Sequence, residues 1–137
     1  MGPGRRVSQE VAERYAADKE LAAGLRDRLA AAQDTEGKLR AAQAERRPTP
    51  EELRLLAIAY ERALYDAIIA AQAAERVAMG PKTYEHGDAK QRRAAQIATR
   101  KARAKPAVRP FTDEVDWLRT LREEHKLSFR TSPSAAA

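Results

Sequence analysis

The stretch from Thr49 to Gly80, TPEELRLLAIAYERALYDAIIAAQAAERVAMG, constrains the fold more than any other part of the chain. Both ends of a helix are written into it. The Thr49 hydroxyl can cap an N-terminus, and Pro50 suits the first helical position, where no N–H is required. Glu51 and Glu52 set negative charge against the positive end of the helix dipole. At the other end Gly80 can adopt the left-handed conformation past the last turn, and Pro81 forbids continuation. Between these ends lies the only dense run of large apolar residues. A rod of this length needs neighbours to cover it, so the rest of the chain is organised around it.

The rod carries more than one apolar stripe. Leu53, Ala57, Tyr60, Leu64, Ala67 and Ala71 form one row, and Leu55, Ile58, Tyr65 and Ile69 form another, offset around the axis. One row can face the preceding helix. The other needs a second partner, either the C-terminal helix or another chain.

Upstream, Ser8 is a good cap. Val11, Tyr15, Ala22, Leu25, Leu29, Ala32 and Leu39 then recur at steps near three and four, as in a coiled-coil seam. The spacing predicts helix from about residue 9 to about residue 46, roughly 55–60 Å if unbroken. Asp18 and Glu36 interrupt the seam. The expected kink or break is at Asp34-Thr35-Glu36-Gly37, because Gly37 costs about 1 kcal/mol relative to Ala. The short turn Arg46-Arg47-Pro48-Thr49-Pro50 then makes the first two helices antiparallel neighbours.

Downstream, GPKTYEHGD (80–88) reads as loop, and Asp88 can cap a third helix from Ala89 to about Lys105. Pro106 and Pro110 are expected to fence an extended linker. Thr112 is the expected cap of a fourth helix that ends near Lys126, with Phe111 as a staple ahead of the cap. Val115, Leu118 and Leu121 supply that helix's apolar side, and residues 128–137 read as tail. No segment alternates with period two over strand length. The expected fold is therefore all-α and extended: a long antiparallel helical hairpin (8–80) after an irregular lead-in (1–7), then a basic loop-helix-linker (81–110) and a short C-terminal amphipathic helix (111–127).

Charge is where the functional signal lies. The formal net charge is +6, yet residues 1–81 are balanced and residues 110–137 are slightly acidic. The whole excess sits in residues 82–109, where Lys82, Lys90, Arg92, Arg93, Arg100, Lys101, Arg103, Lys105 and Arg109 face only Glu85 and Asp88. Arg92 and Arg93 stand about two helical turns from Arg100 and Lys101, so both pairs can follow one phosphate backbone. The candidate polyanion-binding residues are Lys90, Arg92, Arg93, Arg100, Lys101, Arg103, Lys105 and Arg109. Nucleic acid, an acidic protein surface or lipid headgroups all suit such a segment, as does a merely solvated face. Tyr84 is the only aromatic residue nearby, which argues against base stacking as the mode of contact.

The candidate partner-interface residues are Leu55, Ile58, Tyr65, Ile69 and Trp117. Trp117 is expected above all as an anchor against the second helix, and otherwise as a hot spot for another chain. Aromatic residues are 5% and charged residues 34% of the chain. Alanine-lined seams bury little area per residue, so contacts with other subunits or further copies are expected to supplement the core.

No reaction chemistry stands out. His86 lies beside Glu85 and Asp88, but no second histidine stands at i+4 and there is no cysteine to complete a metal site. His125 is expected near a helix C-terminus, where the dipole favours a cation. The carboxylate pairs Glu51/Glu52, Asp113/Glu114 and Glu123/Glu124 suit helix ends and exposed faces. The serines lack a G-x-S-x-G context, and the glycines form no phosphate loop. The expectation is a protein that is not an enzyme and uses no cofactor and no metal. Lack of cysteine fits a reducing, intracellular compartment. MGPGRR is not followed by the apolar core of a secretory signal, and Pro3 and Arg6 do not suit N-myristoylation.

The segments TPEELRLLAIAYERALYDAII and LRTLREEHKL resemble helical segments of the small terminase subunits of tailed phages. The resemblance covers those two segments only. It implies a DNA-binding subunit of a packaging assembly. The broader expectation is an accessory or structural subunit of a macromolecular assembly, with its basic segment on RNA or DNA. The alternative is a coiled-coil-type protein–protein module whose basic segment docks on acidic protein.

Overall fold

A computed structural model describes residues 3–45 and 47–131, with side chains from 9 to 45 and from 47 to 129. The described residues are 87% helical, and no strand occurs among them. The helices are α1 (Pro3–Ala23), α2 (Leu25–Ala44), α3 (Pro50–Met79), α4 (Ala89–Arg103) and α5 (Arg109–Thr131), with a 3-10 turn at Pro81–Thr83. Met1-Gly2, Arg46 and residues 132–137 lie outside the described residues, as does the side chain of Ser8. The readings placed on Met1-Gly2 and on most of the tail fall there. Residues 3–7, expected as an irregular lead-in, are helical, and Ser8 lies inside α1 instead of capping it, because the helix already starts at Pro3.

α3 begins and ends on the signals in its own letters. Thr49 Oγ1 accepts from the Glu52 N–H at 3.1 Å, and Glu52 Oε2 accepts from the Thr49 N–H at 3.1 Å. That reciprocal pair satisfies two backbone donors at once. Gly80 closes the helix with φ at +95°, a conformation that L side chains rarely adopt. α4 starts in the same way, with Asp88 and Gln91 exchanging hydrogen bonds of 2.9 Å.

Both α1 and α2 pack along α3. The paired residues are Asp18 with Arg76, Arg28 with Asp66 and Glu36 with Tyr60, so numbers fall along α3 as they rise along the first segment. α5 covers a further side of α3. The core lies where these surfaces meet, with Ala32, Leu39, Ala57, Tyr60, Leu64, Ala67, Ile68, Ala71, Val115 and Leu118. Leu64, at 1% exposure, is its most enclosed large side chain. Half of the buried apolar residues are alanines, which lets the helices approach closely but yields little apolar area for each residue buried.

The break between the first two helices falls at Gly24, not in the 34–37 stretch. The Gly24 N–H bonds back three residues to the Leu21 carbonyl at 3.1 Å, one tight turn that separates α1 from α2. Gly37 stays inside α2. Flanking contacts hold it there: Leu39 is 4% exposed, and Glu36 accepts from the Tyr60 hydroxyl at 2.7 Å. Tertiary packing outweighs a propensity cost of about 1 kcal/mol.

The C-terminal region differs from expectation at both ends. Residues 104–108 make turns instead of an extended linker, and α5 starts at Arg109. The Thr112 N–H bonds to the Val108 carbonyl at 3.2 Å, so Thr112 lies inside the first turn and is not its cap. Its hydroxyl is buried without a partner. α5 also runs past Lys126 to Thr131. Phe129 packs against the core cluster and extends the stripe begun by Val115 and Leu118. His125 is therefore inside the helix rather than at its end. Its Nε2 lies 2.9 Å from the Ala57 carbonyl and its ring meets Tyr60 edge-on at 4.8 Å.

Candidate functional site

α4 rests on the 80–88 segment by a narrow face. Ala95 and Ala102 are buried there, and Thr99 and Gln91 are half-buried. Thr99 Oγ1 reaches the Thr83 carbonyl at 3.4 Å, and Gln96 donates to Glu85 at 3.2 Å. Small residues on one side and long cations elsewhere leave a thin seat and a broad outer surface. At about 100° per residue, Arg92, Arg103, Arg100, Arg93, Lys90 and Lys101 fan across roughly half the circumference, opposite that seat.

All eight candidate polyanion residues, Lys90, Arg92, Arg93, Arg100, Lys101, Arg103, Lys105 and Arg109, are exposed. Among the described residues, none of them has a carboxylate within 4.0 Å; the ion pairs lie elsewhere, on α1, α2, α3 and α5. Lys105 and Arg109 sit beyond the end of α4, in the turns and at the start of α5. The helix C-terminal end gathers Arg100, Lys101 and Arg103, where the dipole also favours positive charge. A shallow groove of about 310 Å³ runs beside this helix, lined by Lys82, His86, Gln91, Ala94, Ala95 and Ala98.

The polar centre that the sequence did not single out is Asp18. It is buried, and Arg76 grips it with Nε and Nη2, each at 2.9 Å. The Tyr84 hydroxyl donates to the same carboxylate. The Arg76 hydrogen bonds hold the Asp18 carboxyl below the usual carboxylate range, against the opposing effect of burial. Burial first, then the bond to Asp18, push the Tyr84 hydroxyl well above its ordinary value. Tyr84 also carries the Arg14 guanidinium over its ring at 5.2 Å and meets Tyr15 edge-on at 6.1 Å. Arg14 Nη1 donates to the Glu85 carbonyl at 2.7 Å. This cluster ties α1, the end of α3 and the 80–88 segment together, and so positions the base of α4.

Beside it lies a cleft of about 410 Å³, where α1, α3, α4 and α5 converge. Arg14, Arg76, Arg103 and Arg119 line it, with Glu75, Glu85, Gln72, Met79, Thr83 and Tyr84. Of its four arginines, only Arg103 belongs to the basic segment read from the sequence. Arg14 and Arg119 come from balanced regions, and no local signal marks them. Glu75 did carry a signal: it follows Ile68 by seven residues and so falls on the buried stripe of α3.

The candidate partner residues do not gather at one place. Leu55, Ile58 and Tyr65 are exposed on α3, and Ile69 is half-buried. The Arg122 guanidinium of α5 stands over the Tyr65 ring at 5.2 Å. Trp117 is 58% exposed. It does not anchor α5 on α3, because Val115 and Leu118 face the core and Trp117 projects about 100° away from Leu118. Phe111 is likewise exposed.

His86 Nδ1 lies 2.9 Å from the Tyr84 carbonyl. Among the described residues, no group of three or more His, Asp or Glu side chains is placed to hold a metal ion. Among the described residues, no helix is long and apolar enough to cross a membrane. Comparison of the chain with protein-family models, with curated proteins and with solved structures finds no match.

Proposed function

We propose that this protein is a non-enzymatic helical subunit of a larger assembly, and that α4 binds nucleic acid without reading its sequence. One observation carries the reading: the cations of α4 are exposed and none of them has a carboxylate within 4.0 Å among the described residues, whereas Arg28 and Arg40 on α2, Arg62 and Arg76 on α3 and Arg122 on α5 are paired. Cations left unneutralised by their own chain are available to phosphates, and release of condensed counterions then drives association. Their fan around half of a helix suits a phosphate backbone better than base edges, which demand a few side chains converging on one groove.

The test is binding to random-sequence duplex across a salt series. Contact of five phosphates by Arg92, Arg93, Arg100, Lys101 and Arg103 gives a slope of log K against log salt near −4.5. Equal affinity for unrelated sequences is expected. Absence of binding at low salt sinks the reading.

A second reading rests on the exposed row of Leu55, Ile58 and Tyr65 on α3. In it the protein is an interaction module that joins another chain along that row and docks α4 on acidic protein. The small-terminase resemblance belongs with the first reading, as a DNA-packaging version of it. Binding to acidic protein that survives nuclease treatment, with no binding to duplex, favours the second.

A further inference from the structure

Trp117, 58% exposed, stands at the edge of an acidic face of α5. At about 100° per residue, Asp113, Asp116, Glu123, Glu124 and Trp117 share roughly a third of the helix circumference, opposite Leu118 in the core. All five are exposed, and among the described residues no cation lies within 4.0 Å of the four carboxylates. The α5 cations Arg122 and Lys126 turn instead to Glu61 on α3. α4 carries the converse pattern, exposed cations without a carboxylate partner. The two patterns also agree in spacing. The pairs Asp113/Asp116 and Glu123/Glu124 are centred about 13–14 Å apart along α5, and Arg92/Arg93 and Arg100/Lys101 about 12 Å apart along α4. No ion pair joins the two faces within the chain among the described residues, so each is left open to a neighbour.

We propose that a second copy of this chain covers this face, with its α4 laid along the α5 carboxylates and one of its cations over the Trp117 ring. Charge complementarity selects the occupant. Each copy brings both halves of the contact at equal concentration, and the two clusters on each half engage together. A single exposed ion pair contributes little, so Trp117 supplies the apolar anchor: Trp is the ring best suited to a cation and is favoured at the centre of interfaces. Because the two faces differ, the contact is head to tail. One copy lays α4 on a neighbour and offers α5 to another, and association continues into a ring or an open chain. The proposal goes beyond the nucleic-acid reading and stands without it, although duplex and a second copy call on the same cations of α4.

Sedimentation velocity of the full chain, free of nucleic acid, tests it over a concentration series at low and at raised salt. The sedimentation coefficient should climb with concentration at low salt and fall back to the monomer value as salt screens the contact. Two charge-reversed variants locate the faces. One carries Arg92→Glu, Arg93→Glu, Arg100→Glu and Lys101→Glu; the other carries Asp116→Lys, Glu123→Lys and Glu124→Lys. Each alone should stay monomeric with unchanged circular dichroism. Their equimolar mixture should associate again, because the intact α5 face of the first meets the intact α4 of the second, and the two reversed faces also match. That recovery shows both variants to be folded. Trp117→Ala changes no charge and should weaken association about ten-fold, as for an interface anchor. The α5 variant keeps α4 intact, so its binding to random-sequence duplex, measured separately, reports on the nucleic-acid reading alone. A monomer at every concentration in low salt overturns the proposal and leaves these faces to unlike partners. Association that persists in either reversed variant, a mixture that stays monomeric, or an unaltered affinity in Trp117→Ala overturns it as well.

Discussion

Arg76 holds Asp18 with two hydrogen bonds of 2.9 Å across 58 residues of sequence. The pair joins α1 to the far end of α3, and Tyr84 closes over it from the segment that leads into α4. A bidentate, charge-assisted contact fixes angle as well as distance. It therefore sets where the base of the basic helix stands relative to the rest of the molecule.

That contact makes stability pH-dependent on the acid side. The folded pKa of Asp18 lies below the ordinary aspartate value of 3.8, so its contribution is present above that value and is lost as pH falls through the lowered one. Asp18→Asn should cost about 2 kcal/mol at pH 7, as expected for loss of hydrogen bonds between charged groups. Urea denaturation at pH 7 and again near pH 3 checks this. The gap between the wild type and the variant should shrink as the pH drops.

The two rows of α3 should respond to truncation very differently. Leu64→Ala leaves a cavity in the core and should cost about 3 kcal/mol. Ile58→Ala and Trp117→Ala alter exposed side chains, at 51% and 58% exposure, and should change stability by about 0.5 kcal/mol or less. Replacing Leu64 and Ile68 together by Asp should unfold the chain. Chemical denaturation midpoints at constant m-value report all four.

The glycines separate local propensity from conformational need. Gly37 sits inside α2, and an added Cβ would meet nothing within 4 Å. Gly37→Ala should stabilise by about 1 kcal/mol. Gly80 has φ at +95°, where a Cβ is strained. Gly80→Ala should destabilise by about 1–2 kcal/mol. Opposite shifts in thermal midpoint are the expected outcome, and equal shifts would contradict the assignment of the two conformations.

Charge reversal of Arg92, Arg93, Arg100 and Lys101 should remove binding to random-sequence duplex while helicity by circular dichroism stays unchanged. These side chains make no ion pair among the described residues, so folding does not depend on their sign. Single replacements by Ala should each lower the magnitude of the salt slope by about 0.9. A fall in helicity that accompanies the loss of binding would point instead to a structural role for these cations.

Sequence alone determined what depends on near neighbours. The caps at Thr49 and Asp88, the stop at Gly80, the helical class and the run of cations were all legible, because a cap or a charge run is complete within a few residues. The buried row of α3 was legible for a similar reason, since its period is set by the helix itself. Only the tertiary structure decided the rest. Asp18 and Glu36 look like faults in an apolar seam until Arg76 and Tyr60 arrive opposite them from α3. Gly37 looks like the breaking point until packing around Leu39 and Glu36 holds it helical and the turn falls at Gly24. Trp117 looks like an anchor until Val115, Leu118, His125 and Phe129 define which side of α5 is covered. Arg14, Glu75, Arg103 and Arg119 share a cleft that no spacing along the chain announces. Their meeting depends on how four helices approach one another, and short-range patterns carry no record of that approach.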